Sequence, residues 1–176
     1  APHISHPEYP VARELMSMMV ENSQRPGEGN EAFLQAMTDI LKKYALPFSV
    51  HNDPEYKNRS ALAVDIGDPQ GEQILATVSH SDVVGVDGQQ WSSSPWKLHE
   101  TDEQWFGRGT CDTHGTGVSM LLAGLRPDVQ QKLLQLRKRV TIVFTYDEEA
   151  TSPEFSMRGA RLAAGLLGND KLVTAN

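Results

Sequence analysis

Short apolar runs alternate along this chain with amphipathic segments, and this alternation restricts its fold more than any other feature. The strongest run is residues 140–145, whose β-branched side chains favour a buried strand. Apolar side chains recur at helical spacing in segments 11–20 and 31–44. Helices that alternate with apolar strands predict an α/β protein with a mixed, mostly parallel sheet flanked by helices. We further predict helices at 115–125, 129–136 and 159–167, and strands at 48–50, 61–66, 74–78 and 172–174.

The charge and composition of the chain argue against several classes of protein. Its 176 residues carry 16 Lys and Arg against 23 Asp and Glu, and this formal charge of −7 argues against nucleic acid as a partner. No apolar stretch reaches the ~18 residues that a membrane helix needs, so no membrane partner is expected. The single cysteine, Cys111, leaves no internal disulfide, which together with the lack of a signal peptide predicts a cytoplasmic protein.

Residues that could carry chemistry follow the predicted strand 74–78. His80 follows the carboxyl end of this predicted strand. Open α/β sheets bind their ligands outside the carboxyl ends of strands, so His80 is placed to contact a ligand. Asp82, two residues on, could accept a hydrogen bond from the second imidazole N–H and so fix the tautomer of the ring. The alternative interpretation is a histidine that is buried for structural reasons alone.

A glycine-rich segment presents a further acid. The glycines around Asp112 indicate a tightly bent backbone at the start of a helix. A carboxylate at this point has two oxygens with which to bridge two cations. One alternative is that Asp112 simply caps the helix N-terminus. A second alternative makes Cys111 a nucleophile, which requires His114 to reach its sulfur as the base.

Three consecutive acids come directly after the predicted strand 140–145. Asp147, Glu148 and Glu149 repel one another unless cations are present, and packing gives no reason for them. Successive residues of an extended chain point in opposite directions, so Glu148 and Glu149 can serve different roles. The alternative is a solvated acidic turn. Taken together, the three segments offer one histidine and several carboxylates, a ligand set that suits zinc.

Five motifs lie in and between these segments: His80-Ser81-Asp82-Val83-Val84, Asp87-Gly88, Trp91-Ser92-Ser93-Ser94-Pro95-Trp96, Gly107-Arg108-Gly109-Thr110-Cys111-Asp112 and Asp147-Glu148-Glu149. Together they resemble the signature of a zinc-dependent deacylase and exopeptidase family. The family includes acetylornithine deacetylase, succinyl-diaminopimelate desuccinylase, aminoacylases and some carboxypeptidases. The resemblance implies the fold of a zinc aminopeptidase-like catalytic domain.

The resemblance implies a role for each of these residues. His80 would ligate one zinc ion, Asp82 would orient His80, and Asp112 would bridge two zinc ions. Glu148 would be the general base and Glu149 would ligate the second ion. The implied cofactor is zinc, two per complete site, with cobalt as a substitute. The implied reaction hydrolyses the amide bond of a small N-acyl amino acid substrate, with N-acetylornithine in arginine biosynthesis as the best match.

The resemblance covers the N-terminal part of such an enzyme. We therefore expect residues 1–176 to form a partial catalytic domain, with the lid or dimerisation domain and the C-terminal catalytic segment absent. The isolated chain is expected to bind zinc weakly and to be inactive, because neither ion would have a full protein shell. An exposed sheet edge predicts a homodimer or self-association. The alternative functions are a catalytically silent fragment or pseudoenzyme that acts as a binding or assembly module, or a related desuccinylase, aminoacylase or carboxypeptidase.

Two departures from the family pattern stand out. Thr113-His114-Gly115-Thr116 occupies the place where many relatives have a lysine and a second glycine, and segment 150–158 is longer than the usual link into the next helix. The remaining histidines match no ligand position of the family: His3, His6, His51 and His99.

Overall fold

Helices and strands alternate along the chain much as the sequence predicts. A computed structural model describes residues 6–167 and the backbone of residues 172–174. No helix in this part of the chain combines the length and the apolar character that crossing a bilayer requires. The helices are α1 (Tyr9–Glu21), α2 (Glu31–Lys43), α3 (Gly115–Leu125), α4 (Pro127–Leu136) and α5 (Arg158–Leu167), and the strands are β1 (Phe48–Asn52), β2 (Ser60–Gly67), β3 (Glu72–His80), β4 (His99–Glu100), β5 (Trp105–Phe106), β6 (Lys138–Thr145) and β7 (Leu172–Thr174).

Five of these strands form one mixed sheet in the order β1-β2-β6-β3-β7. The pairs β1–β2 and β2–β6 are antiparallel, whereas β3 runs parallel to both β6 and β7. The predicted α/β fold with a mixed sheet flanked by helices is thus confirmed. Parallel pairs do not outnumber antiparallel ones in the described sheet, because the short connection between β1 and β2 cannot make the crossover that parallel neighbours need.

The two faces of the sheet pack against different helices because successive strand residues point to opposite sides. On one face, Leu62, Ile142 and Phe144 join a large cluster with buried side chains of the first four helices. On the other face, Val143 packs with Ala163 of α5 in a smaller cluster. Full burial of a large apolar side chain contributes about 1.5–3 kcal/mol relative to exposure, so the larger cluster holds most of the fold together.

The segment between β3 and α3 is irregular, as its sequence predicts, apart from the small hairpin β4–β5. Trp105 of this hairpin contacts Tyr9 of α1, with 5.7 Å between the ring centroids. Farther on, the Arg108 backbone N–H donates to the Pro95 carbonyl oxygen at 2.7 Å. These contacts tie the long connection to the domain just before the chain reaches Asp112.

Candidate metal centre

The parallel pairing of β3 and β6 brings two of the predicted site segments to one edge of the sheet. His80, the last residue of β3, lies in register with Thr145, the last residue of β6. The Ser81 backbone N–H and hydroxyl both donate to the Thr145 carbonyl oxygen at 2.8 Å. Since both strands end here, His80 and the three acids that follow β6 share the carboxyl edge where open α/β sheets place ligands.

A sharp turn, Thr110–His114, carries Asp112 to the same edge immediately before α3. The Asp112–Thr113 peptide bond is cis. The Thr113 hydroxyl accepts from the His80 backbone N–H at 3.2 Å and bonds the Ser79 hydroxyl at 3.0 Å, so the turn docks on the end of β3. Gly109 has a φ of +85°, and a Cβ there would lie 2.5 Å from the His114 ring. Only glycine fits this approach without strain.

The geometry brings together the three residues that the sequence nominates as metal ligands. His80, Asp112 and Glu149 each offer a ligand atom, and these atoms lie within 4.8 Å of one another. His80 Nε2 lies 3.1 Å from Asp112 Oδ1 and 3.8 Å from Glu148 Oε2. The His80 side chain is buried, whereas the side chains of Asp112 and Glu148 are 69% and 36% exposed. A buried nitrogen ligand therefore faces carboxylates that solvent can reach, which is an arrangement suited to a catalytic metal.

Asp82 contacts His80 differently from the sequence prediction. The acceptor for His80 Nδ1 is the Asp82 backbone carbonyl oxygen at 2.9 Å, while the nearest Asp82 carboxylate oxygen is 3.7 Å away. The Asp82 carboxylate instead accepts from the Glu149 backbone N–H at 2.7 Å. With Nδ1–H donated to that carbonyl, Nε2 is the ring nitrogen on the side of Asp112 and Glu148, and its lone pair could ligate a cation placed between these groups. Asp82 thus links His80 to Glu149 through its backbone and side chain together.

Two acids at this edge, Asp82 and Glu149, have raised pKa values. Burial raises the pKa of Glu149, and the neighbouring carboxylates of Asp112, Glu148 and Asp82 add to this effect, although His80 opposes it. Burial also raises the pKa of Asp82. Burial alone would lower the pKa of His80, but the charges of Asp82 and Glu148 outweigh it and raise that pKa. A cation bound among these groups would relieve the repulsion.

The structure does not realise the two alternatives for the Asp112 turn. No side chain caps the N-terminus of α3, and the Asp112 carboxylate contacts His80 instead. The His114 ring is fully buried and bonds the Ser23 hydroxyl through Nε2 at 2.8 Å, while its Nδ1 has no partner among the described residues. The exposed thiol of Cys111 therefore receives no hydrogen bond from His114. Burial lowers the pKa of His114 to about 4, which keeps the ring neutral.

Asp147, the first of the three acids, is a structural residue that sequence reasoning left without a role. Its carboxylate is buried and accepts from Arg59 Nε and Gln24 Nε2, both at 2.6 Å. Its backbone has a φ of +56° and begins the turn that presents Glu148 and Glu149. Asp147 is thus not part of a solvated acidic turn, and its buried contacts hold the backbone that presents Glu148 and Glu149.

The segment 150–158 is anchored at its end by a second buried charge. Asp53 accepts from Arg158 Nε at 2.5 Å and from the Tyr146 hydroxyl at 2.6 Å. The Tyr56 and Phe155 rings contact one another with centroids 4.9 Å apart. These contacts hold the segment against the loop between β1 and β2 and so support the turn that carries Glu148 and Glu149.

We expect the contacts of Asp53 with Arg158 and Tyr146 to make the free energy of unfolding depend on pH in the acidic range. Arg158 above all, and also the Tyr146 hydroxyl, lowers the pKa of Asp53 from 3.8 to about 2. Because the pKa is lower in the folded state, the stabilisation is present above pH ~4 and is lost as pH falls towards ~2, to a total of roughly 2 kcal/mol. The free energies of unfolding of the wild type and of Asp53→Asn, measured in urea, should differ by an amount that shrinks as pH falls over this range. A difference that stays constant from pH 5 to 2 would contradict the assignment.

Three further histidines of the described residues lie outside the metal-binding group. His51 bonds Ser49, His6 accepts from the Glu8 backbone N–H, and His99 packs near Phe106. His3 lies outside the described residues.

Comparison with known proteins defines the class to which this fold and site belong. The model of peptidase family M20/M25/M40 matches residues 76–175, which include every nominated ligand. The chain therefore belongs to this family of metal-dependent peptidases and deacetylases.

Individual relatives agree with this assignment. The acetylornithine deacetylase of Vibrio vulnificus (strain CMCP6) is 32% identical over 153 residues, which cover 86% of this chain and 37% of that protein. Among solved structures, the di-peptidase Dug1p from Saccharomyces cerevisiae has a TM-score of 0.64 at 16% identity, covering 96% of this chain and 39% of that one. The Bacillus subtilis YXEP protein, a dinuclear metal binding peptidase, has a TM-score of 0.54 at 18% identity, covering 89% and 40%. The chain thus spans little more than a third of the length of such relatives.

Proposed function

We propose that this protein hydrolyses the amide bond of an N-acyl amino acid, with N-acetylornithine as the substrate and ornithine and acetate as the products. The observation that carries the proposal is the convergence of His80, Asp112 and Glu149, whose ligand atoms lie within 4.8 Å of one another beside Glu148. The choice of substrate rests on curated relatives at about 30% identity, which are acetylornithine deacetylases. The proposal places the protein in arginine biosynthesis and in the cytoplasm.

The donor types of the three nominated ligands suit zinc, and they would supply part of the shells of two ions. One imidazole nitrogen and carboxylate oxygens form a borderline-to-hard donor set of the kind that zinc accepts, and cobalt would also suit it. His80 would hold one ion and Glu149 the other, and Asp112, whose side chain is 69% exposed, would bridge them. When bound, such a pair acidifies a water molecule and polarises the amide carbonyl.

Glu148 is the group that moves protons in this proposal. Its carboxylate is part-exposed and lies 3.8 Å from His80 Nε2, so it reaches the centre without being needed as a ligand. It would take a proton from the attacking water and return that proton to the departing amine nitrogen. A cleft of about 450 Å³ adjoins this carboxylate and is lined by Asp112, Thr116 and Met157 among others. That volume suits a small amide substrate.

Metal removal is the direct test of the proposed function. The protein expressed from its complete reading frame should release ornithine from N-acetyl-L-ornithine when loaded with zinc. A chelator should abolish this release, and added zinc or cobalt should restore it. N-succinyl-diaminopimelate and a dipeptide should be hydrolysed more slowly. Absence of hydrolysis by the zinc-loaded protein, or hydrolysis that the chelator leaves unchanged, would contradict the proposal.

A further inference from the structure

Two polar residues just after the end of α1 contact all three segments that carry the nominated metal ligands. They are Ser23 and Gln24, which are buried at 7% and 2% exposure, and we call this pair the α1 clamp. Burial of a polar group costs free energy unless the group is hydrogen-bonded. The hydrogen-bond partners of the clamp therefore indicate what it does in the fold.

The backbone of Gln24 holds the loop that leaves β3 after His80. The Gln24 backbone N–H donates to the Ser81 carbonyl oxygen at 3.0 Å, and the Val83 backbone N–H donates to the Gln24 carbonyl oxygen at 3.0 Å. These bonds flank Asp82 and make a short parallel bridge between it and Gln24. The loop behind His80 is thus attached to the end of α1.

The side chain of Gln24 holds the turn that leaves β6. Its Nε2 donates to Asp147 Oδ1 at 2.6 Å and to the Glu28 carbonyl oxygen at 2.9 Å. Both partners are acceptors, so the amide must face them with its nitrogen. Asp147 begins the turn that presents Glu149. Gln24 therefore joins the loop after β3 and the turn after β6, one through its backbone and the other through its side chain.

Ser23 holds the third segment, the turn that carries Asp112. The Ser23 hydroxyl donates its single proton to the Met19 carbonyl oxygen at 2.8 Å, so it accepts from His114 Nε2–H, also at 2.8 Å. The His114 backbone N–H donates to the Gly109 carbonyl oxygen at 3.0 Å, which closes the turn around Asp112. The buried ring of His114 thus attaches this turn to the end of α1.

The ligands need such support because two of them lie beyond the hydrogen bonds of the sheet. His80 is the last residue of β3 and still pairs with β6, whereas Asp112 lies in the turn before α3 and Glu149 follows the end of β6. The clamp itself offers no ligand atom to the group. Any effect that it has on a bound metal must therefore pass through the three segments it contacts.

We propose that Ser23 and Gln24 are positioning residues of the metal centre, which hold His80, Asp112 and Glu149 at the separation that a cation requires. The family match covers residues 76–175, so it assigns no role to the clamp. The inference rests on the proposed function only in taking a metal ion as the ligand of this edge. Groups that orient metal ligands typically contribute 10- to 100-fold to metal affinity.

The test measures zinc affinity by competition with a chromogenic chelator, on the protein expressed from its complete reading frame. Gln24→Met and Ser23→Ala should each weaken zinc binding by roughly 10-fold or more. Both should also change the visible absorption of the cobalt-loaded protein, which reports the geometry of the ligands around the ion. The matched control is Gln35→Met, which removes a similar bond from an exposed amide to Asp39 at 2.9 Å. It should change neither zinc affinity nor the cobalt spectrum.

A second control separates positioning from a general loss of stability. Leu133→Ala leaves a cavity where α4 packs against Gly67, which pairs with Arg139 near the start of β6 and so lies away from the metal edge. It should lower the melting temperature and leave zinc affinity unchanged. Equal weakening of zinc binding by Leu133→Ala and the clamp variants would overturn the inference.

Two further outcomes separate this inference from the proposed function. Zinc affinity and cobalt spectra that stay unchanged in both Gln24→Met and Ser23→Ala would refute the clamp, even if the parent protein hydrolyses N-acetylornithine. If the clamp variants lose zinc affinity as expected but the zinc-loaded parent hydrolyses no N-acyl amino acid, the clamp stands and the proposed reaction is wrong.

Discussion

In the zinc-loaded protein expressed from its complete reading frame, replacement of Glu148 by glutamine is expected to lower kcat for N-acetylornithine by roughly 10²- to 10⁴-fold, the usual contribution of a general acid or base. The amide keeps the size of the side chain but cannot take a proton from water. Zinc content should be unchanged, because His80, Asp112 and Glu149 form the nominated ligand group and Glu148 is not among them. The measurement pairs steady-state kinetics with metal analysis of the same preparation.

The matched control for this prediction is Glu31→Gln, an exposed glutamate at the start of α2. It makes the same chemical change at a position without a role in the site and should leave kcat and metal content as they are. Near-wild-type turnover by Glu148→Gln would remove Glu148 from the mechanism. Loss of zinc together with activity would mean that Glu148 is a ligand and not the base.

The second prediction with a large effect concerns the stability that the buried ion pair between Arg59 and Asp147 contributes. Arg59→Met should lower the free energy of unfolding by roughly 3–5 kcal/mol, the cost of leaving one partner of a buried ion pair uncompensated. The side chains of Arg59 and Asp147 are 6% and 5% exposed, and Nε lies 2.6 Å from Oδ2. Removal of the guanidinium would leave Asp147 with Gln24 as its hydrogen-bond donor. Chemical denaturation at pH 7 measures the change.

A second variant distinguishes a lost charge pair from lost packing. Arg59→Met combined with Asp147→Asn removes both charges, and asparagine tolerates the positive φ at position 147. The double variant should regain most of the stability lost in Arg59→Met. A loss below roughly 1 kcal/mol in Arg59→Met, which is the range of exposed pairs, would contradict a structural role for this contact.

The local pattern of apolar and polar residues was enough to predict most of the helices and strands. The helix predicted at residues 115–125 and the strand predicted at 172–174 have the bounds that the structure gives them. Strand 74–78 extends at both ends to Glu72–His80, because its polar end residues still pair with β6. The small hairpin β4–β5 escaped prediction, since strands of two residues leave no alternating pattern to detect.

The site was predictable as far as its residues lie at strand ends. His80 and the acids after β6 could be placed together because parallel strands end at a common edge. The supporting contacts could not be found in this way. Arg59 and Asp147 are 88 residues apart, Gln24 and Asp147 are 123 apart, and no local pattern links such pairs. Nor could the sequence show that His80 Nδ1 bonds the Asp82 carbonyl oxygen and not its carboxylate, because both acceptors belong to the same residue.

The most direct test of the central claim is a zinc titration of the 176-residue chain by calorimetry, alongside Asp112→Ala, Glu149→Ala and the exposed-acid control Asp102→Ala. The claim is that His80, Asp112 and Glu149 hold metal. We expect weak but saturable zinc binding, because these three residues cannot complete the shells of two ions. We expect affinity to fall by on the order of 10- to 100-fold or more in the two ligand variants and to stay unchanged in Asp102→Ala. Equal zinc affinity in all four proteins would contradict the assignment of the site.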